Sequence, residues 1–251
     1  MRNDILNALD KIGKDNNCHV LFACESGSRA WGFESPDSDY DVRFIYYNSI
    51  DWYLSIDDHP DTINAMLPHD LDLCGWELKK AMKLFSKSNF CLFEWLNSPE
   101  IYLRNKQFHD ALKKLISDYF IPNKALYHYL GTANKVKEKY LVSPKVNIKK
   151  LFYVIRPLLA AYWVINNKTM PPTEFNQLYA KESLPDFICK YIDDFLIKKS
   201  QASEKDAIVL PGKFSNWIEM TLLNINVSIG KLDSTKKIDF EPLNKIISTI
   251  F

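Results

Sequence analysis

Ser26-Gly27-Ser28-Arg29-Ala30-Trp31-Gly32 and Ser38-Asp39-Tyr40-Asp41-Val42-Arg43-Phe44 decide how the first half of this chain is read. The apolar run His19-Val20-Leu21-Phe22-Ala23-Cys24 before them predicts a buried strand. Gly27 ends that strand, and Ser28-Arg29-Ala30-Trp31 opens a short helix. Ser35-Pro36-Asp37-Ser38 has turn chemistry. From Tyr40 to Tyr47, Val42, Phe44 and Tyr46 alternate with Asp41, Arg43 and Ile45, the signature of a second strand. Side chains repeat every two residues along a strand, so Asp39 and Asp41 share a face.

The residue types suggest what that face does. Glycine reaches backbone angles closed to other residues and lets a phosphate approach the main chain. Ser28 adds a hydroxyl, and Arg29 a fork for phosphate oxygens. A Gly-Ser pair is common at turns, and a D-x-D pair alone equally describes a polar strand edge. Ten residues separate Ser28 from Asp39, so here the two features fall within one strand–turn–strand unit. Two carboxylates side by side repel and ask for a cation. Mg²⁺ suits them, with Mn²⁺ as substitute, since it is held by a few carboxylates together with substrate phosphates. In-line displacement at a phosphate uses two such ions, and a third acid completes the set. Asp70 and Asp72 are both placed for this on a short strand Asp70-Leu71-Asp72-Leu73. Asp72, flanked by Leu71 and Leu73, is the preferred one. Asp57, Asp58 and Asp61 lie in loop-like sequence and face water. Arg43 either balances the acids or touches a phosphate. Arg156 stands inside an apolar helix just before Pro157, and a buried arginine needs a partner. A phosphate is preferred over an acid; of Lys149 and Lys150, two turns earlier, one shares that role, with Lys149 taken as the nucleotide-binding one, and the other faces solvent.

Composition excludes several classes. The chain has 251 residues, 47% hydrophobic and 25% charged, which is a folded globular composition with room for one large domain or two modest ones. A net charge of +1 gives no global attraction to nucleic acid or membrane. The charge is uneven, however. Residues 123–156 carry eight Lys or Arg against Glu138 alone, which reads as a solvated face or a phosphate-facing one. The five cysteines form no C-x-x-C, and the histidines show neither metal nor triad spacing. There is no G-x-G-x-x-G, Walker loop or H-E-x-x-H. No apolar run is long enough to span a bilayer. Ile5, Leu6, Leu9 and Ile12 have helical spacing rather than a signal-peptide core, so a cytoplasmic protein is expected.

A helix Arg2–Ile12 precedes the first strand. Residues 51–68 read as irregular and acidic. Trp76–Phe85 and Phe90–Leu96 read as helices. From Phe108 the pattern is helical almost throughout, with segments Phe108–Phe120, Ala125–Tyr140, Asn147–Asn166, Thr173–Glu182, Pro185–Ser200 and Asn216–Asn226. The expected fold class is α+β, with a small mixed-sheet catalytic domain over residues 1–115. An all-helical domain over residues 116–251 is expected to close over a nucleotide. Trp31, Trp76, Trp95 and Trp163 sit among apolar neighbours and read as packing.

The two opening stretches resemble the DNA polymerase β nucleotidyltransferase superfamily, and more closely its RNA-repair-associated bacterial branch. Asp70 to Lys80, Ser88 to Pro99 and Lys149 to Ala160 are similar to further blocks of that branch. The resemblance runs from about residue 15 to residue 180. It implies a polymerase β-like palm and Mg²⁺-dependent transfer of a nucleoside monophosphate from a triphosphate to a hydroxyl. Its Gly-Ser falls on Gly27 and Ser28, its paired metal ligands on Asp39 and Asp41, and its third carboxylate on Asp72. Cys74 departs from the usual polar residue. The acceptor stays open: an RNA end, a protein hydroxyl or a small molecule. A nucleotide-binding regulator on the same fold is the alternative.

Overall fold

The computed structural model describes residues 1–179, 184–201, 206–232, 236 and 238–251. It divides into two compact units. Met1–Ala30, Asp39–Tyr119 and Lys237–Phe251 make the first; Trp31–Ser38 and Phe120–Lys236 make the second. A single cut near residue 115 does not describe this division. The short segment Trp31–Ser38 groups with the helical half, and the C-terminal segment returns to the sheet-bearing unit.

Along the first unit run α1 (Arg2–Asp15), β1 (Cys18–Glu25), the single turn α2 (Gly27–Ala30), β2 (Tyr40–Asn48), α3 (Ile50–Leu54), β3 (Thr62–Leu67), β4 (Leu71–Glu77), α4 (Leu78–Ser86), α5 (Phe90–Leu96), β5 (Ile101–Arg104) and α6 (Lys106–Tyr119). The five strands form one mixed sheet in the order β3-β4-β2-β1-β5. β2 and β4 are parallel, and every other pairing is antiparallel. Ile5, Leu9 and Ile12 recur at helical spacing on α1 and join Ala23, Val42, Phe44, Tyr46, Leu71 and Leu73 in one buried cluster. A Cβ at Gly75 would lie 2.2 Å from the Phe44 ring, so the sheet accepts only glycine there. Helix starts are capped locally. Glu77 accepts the N–H groups of Lys79 and Lys80, and Asn89 accepts that of Leu92.

The second unit contains α7 (Pro122–Tyr140), β6 (Lys145–Asn147), α8 (Ile148–Asn167), α9 (Phe175–Leu178), α10 (Asp186–Ser200), β7 (Ala207–Val209) and α11 (Gly212–Ser228). The chain then adds α12 (Glu241–Ser248) to the first unit. α8 tolerates Pro157 in its interior. An interior proline costs about 3 kcal/mol, but Leu151, Phe152, Ile155, Leu158 and Leu159 are all buried there. Each is worth about 1.5–3 kcal/mol. Phe33 packs against Phe152 and Phe175, with ring centroids 5.3 Å away in both cases. Those contacts account for the capture of segment 31–38 by this unit. Among the described residues no helix is long and apolar enough to cross a membrane.

Several expectations need correction. Residues 51–68 are not irregular: they hold part of α3 and all of β3. β3 is an edge strand with Met66 and Leu67 exposed, so it shows no alternation to read. Trp76 belongs to β4, and the helix starts at Leu78. Asp70 lies outside β4 with φ of 52°, so it and Asp72 do not share a strand face. The almost wholly helical second half carries a small β6–β7 pair, each strand three residues long and too short to show a period. The expected helix Thr173–Glu182 is reduced to α9; residues 180–182 of it lie outside the described residues.

Candidate active site

β1 ends at Glu25, and the chain turns through Ser26 and Gly27. The Ser26 N–H donates to the Asp41 carbonyl at 2.8 Å, fastening the turn to β2. Gly27 has φ of +61°, a region open to glycine and strained for other residues. A Cβ there would fall 2.0 Å from Asp41 Oδ2. The bare Gly27 backbone is thus pressed against the carboxylate of the D-x-D pair. Ser28 follows, buried. Arg29 turns back on its own unit: Nε donates to the Asp39 carbonyl at 3.1 Å and the guanidinium lies 3.9 Å from the Tyr40 ring.

The parallel pairing of β2 and β4 sets Asp41 beside Asp72. Arg43 lies two residues beyond Asp41 on the same face. Its Nη2 donates to Asp41 Oδ1 and to Asp72 Oδ2, at 2.8 Å each, and Nη1 to the Asp72 carbonyl at 3.1 Å. The three side chains are 18%, 26% and 33% exposed, so the pairing is only partly screened by water. Burial raises the Asp41 pKa, the Arg43 charge opposes that, and the Asp72 and Asp39 charges add to the rise. Asp39 itself is exposed, just ahead of β2. Asp70 is also exposed, and its carbonyl accepts the Tyr40 N–H at 2.9 Å. Asp72, not Asp70, shares the guanidinium with Asp41.

Glu25 is the residue that reading the sequence missed. It is 1% exposed, and Oε1 accepts the Asp41 backbone N–H at 2.8 Å. Oε2 accepts the Tyr102 hydroxyl, and the Glu25 carbonyl accepts the Ser98 hydroxyl at 2.6 Å. Burial is the largest influence on its carboxyl and raises the pKa, with the Tyr102 hydrogen bond working against it. The available signal was an acid closing an apolar run immediately before Ser26-Gly27. Its partners on β5 and the preceding loop lie more than seventy residues away and left no local trace.

Lys149 and Arg156 belong to the second unit. Lys149 is buried and paired with Asp37. Arg156 is buried with its guanidinium 4.2 Å from the Trp31 ring, and Nη2 donates to the Thr173 carbonyl at 3.4 Å.

Beside this arrangement of glycine turn, D-x-D strand β2 and parallel neighbour β4 stands a family match. The model of the RNA repair pathway DNA polymerase beta family, RlaP, matches residues 1–249. The chain belongs to that family. It is 37% identical to the uncharacterized protein YcgL of Bacillus subtilis (strain 168), over 98% of this chain and 95% of that one. Among solved structures it is similar to a nucleotidyltransferase-like protein from Exiguobacterium sibiricum 255-15, at 10% identity and a TM-score of 0.32. That alignment spans 97% of this chain and 78% of the other. The likeness is too slight to argue from. The α+β class rests on the five-stranded mixed sheet itself, and the family match sets the chain in the DNA polymerase beta group.

Do the residues of this RlaP-family chain suit a divalent ion? Among the described residues no three His, Cys, Asp or Glu side chains are gathered to hold a metal. Two carboxylates from neighbouring strands do face one cation, the Arg43 guanidinium, at hydrogen-bonding distance. Hard oxygen donors in that number suit Mg²⁺, which commonly takes one or two carboxylates and completes its shell with water and substrate phosphates. The donor set therefore fits.

Proposed function

We propose that the protein is a Mg²⁺-dependent nucleotidyltransferase that moves a nucleoside monophosphate from a nucleoside triphosphate to a hydroxyl acceptor and releases pyrophosphate. One observation carries the reading: Asp41 and Asp72 stand side by side on parallel strands, sharing one cation, with the bare Gly27 backbone against Asp41. Asp39, Asp41 and Asp72 would hold Mg²⁺, or Mn²⁺ in its place; when bound, the ions supply charge neutralisation of the triphosphate and acidify the acceptor hydroxyl.

The chain's own part is positioning. Gly27 admits the triphosphate close to the main chain, and Ser28 offers a hydroxyl to its oxygens. Glu25 holds the Asp41 N–H and so fixes where that carboxylate aims. Asp72 takes the proton of the acceptor hydroxyl. The hydroxyl oxygen bonds to the α-phosphorus, the bond from that phosphorus to the bridging oxygen breaks, and the electron pair leaves with pyrophosphate. Alignment and charge neutralisation supply the rate, with no covalent intermediate on the protein. The family's description as an RNA repair pathway group makes an RNA end the leading acceptor. A cytoplasmic setting belongs to the same proposal.

The test compares wild type with an Asp39→Asn/Asp41→Asn double variant, each with Mg²⁺, the four nucleoside triphosphates in turn, and RNA or cell extract. Wild type should release pyrophosphate at least a thousandfold faster than the variant, roughly 4 kcal/mol of lost transition-state stabilisation. Equal release refutes the catalytic reading. Triphosphate binding without any release would identify a nucleotide-binding regulator instead.

A further inference from the structure

The second unit carries a row of alternating cations and aromatic rings that the proposed reaction does not use. Lys139 Nζ lies 5.0 Å from the Tyr140 ring centroid at the end of α7. Lys150 Nζ lies 5.6 Å from Tyr140 and 5.7 Å from Tyr153 at the start of α8. Tyr153 meets Trp31 edge-on at 5.8 Å, and Arg156 covers Trp31 at 4.2 Å. Lys139 is exposed, and Tyr140, Lys150, Tyr153 and Trp31 are half-buried. These rings are therefore reachable rather than core.

The row is also short of acid. Lys137 is neutralised by Glu219 and Lys149 by Asp37. Among the described residues Lys139 and Lys150 have no carboxylate within ion-pair distance, and neither do Lys135 and Lys145 nearby. The Tyr140 phenol titrates below its ordinary value, first through its hydrogen bond with Lys139 and then through the charges of Lys139 and Lys150. Uncompensated ammonium groups beside ring faces attract a ligand that presents anions and flat rings in alternation. An acidic peptide brings the anions without the rings. A duplex keeps its bases stacked on one another. A single strand of nucleic acid brings both, phosphates for the lysines and free base faces for the tyrosines.

We infer that the Lys139–Tyr140–Lys150–Tyr153–Trp31 row binds single-stranded nucleic acid. Its purpose rests on the nucleotidyltransferase reading, for which the strand is the acceptor; the binding itself does not.

The experiment is a fluorescence-anisotropy titration of a labelled twelve-nucleotide single strand with the full-length protein. It is run in EDTA without triphosphate, at several KCl concentrations. Wild type should bind the strand, RNA or DNA, and more tightly at low salt. Lys139→Ala/Lys150→Ala should flatten the log–log salt slope by about 1.4, roughly 0.7 per lost phosphate contact. Tyr140→Ala should weaken binding about tenfold and Tyr140→Phe by no more than twofold, since stacking needs the ring and not the hydroxyl. Circular dichroism checks that each variant is folded, and the exposed Lys139→Glu provides a second variant if Tyr140→Ala is not. The inference is overturned if wild type does not bind, if a duplex or polyglutamate binds as well as the single strand, or if the alanine variants bind like wild type. With metal and triphosphate absent, the outcome is independent of pyrophosphate release. The Asp39→Asn/Asp41→Asn protein should bind like wild type, so failure of the surface and failure of the catalytic site are told apart.

Discussion

Gly27→Ala leaves a folded protein that has lost at least a hundredfold in nucleotidyl transfer. The added Cβ would lie 2.0 Å from Asp41 Oδ2, which no real contact permits. The clashing atom is the far end of a side chain, so the backbone need not move; Asp41 must swing away instead. That breaks its 2.8 Å bond to Arg43 and re-aims the carboxylate. The positive φ adds about 1–2 kcal/mol of strain, small beside the stability of two compact units. Misplacing a positioning group by about 1 Å can cost a hundredfold in rate. The loss should therefore appear in kcat with a small change in melting temperature. A double-mutant cycle checks the mechanism: in an Asp41→Asn background, Gly27→Ala should cause little further loss, because the two changes act through one carboxylate. Additive losses would mean that Gly27 acts elsewhere.

Arg43→Met has its largest effect on the metal-free protein. It keeps the aliphatic stem but leaves Asp41 and Asp72 facing each other across paired strands with no cation between them. Breaking a fully buried pair costs roughly 3–5 kcal/mol. These side chains are partly exposed, so about 2 kcal/mol is expected, a fall of roughly 4–8 °C in melting temperature at this chain length. Adding Mg²⁺ should recover most of that fall in the variant and raise wild type much less, because the guanidinium no longer competes for the same oxygens. Differential scanning fluorimetry with and without Mg²⁺ measures both shifts. Equal shifts in the two proteins would mean that the carboxylates on Arg43 are not where a divalent ion goes.

The strand that carries Asp41 is legible because its signals are local. Val42, Phe44 and Tyr46 alternate with Asp41 and Arg43, and β2 forms over Tyr40–Asn48 as that period requires. α5 runs Phe90–Leu96, as its apolar spacing and the Asn89 cap dictate. What stayed hidden depends on distant partners. β3 and β5 lie at the two edges of the sheet, so their half-exposed residues carry no period. Asp70 and Asp72 are equivalent on paper. Only the β2–β4 register sets Asp72 beside Asp41, while Asp70 falls in a left-handed turn. Arg43 was open between balancing the acids and meeting a phosphate, and in the folded chain it balances the acids. The grouping of Trp31–Ser38 with the helical unit follows from Phe33 packing on Phe152 and Phe175, more than a hundred residues onward. Glu25 has no period or motif of its own to mark it, because its role comes from the Asp41 N–H and the Tyr102 hydroxyl that its oxygens accept.

The most direct measurement follows the phosphorus atoms. Wild type is incubated with Mg²⁺, an RNA or protein acceptor, and nucleoside triphosphate labelled at either the α- or the γ-phosphorus. The α-label should appear on the acceptor and the γ-label in pyrophosphate, with neither transfer in Asp39→Asn/Asp41→Asn. A γ-label on the acceptor, or the same α-label incorporation in the double variant, contradicts nucleotidyl transfer by these carboxylates.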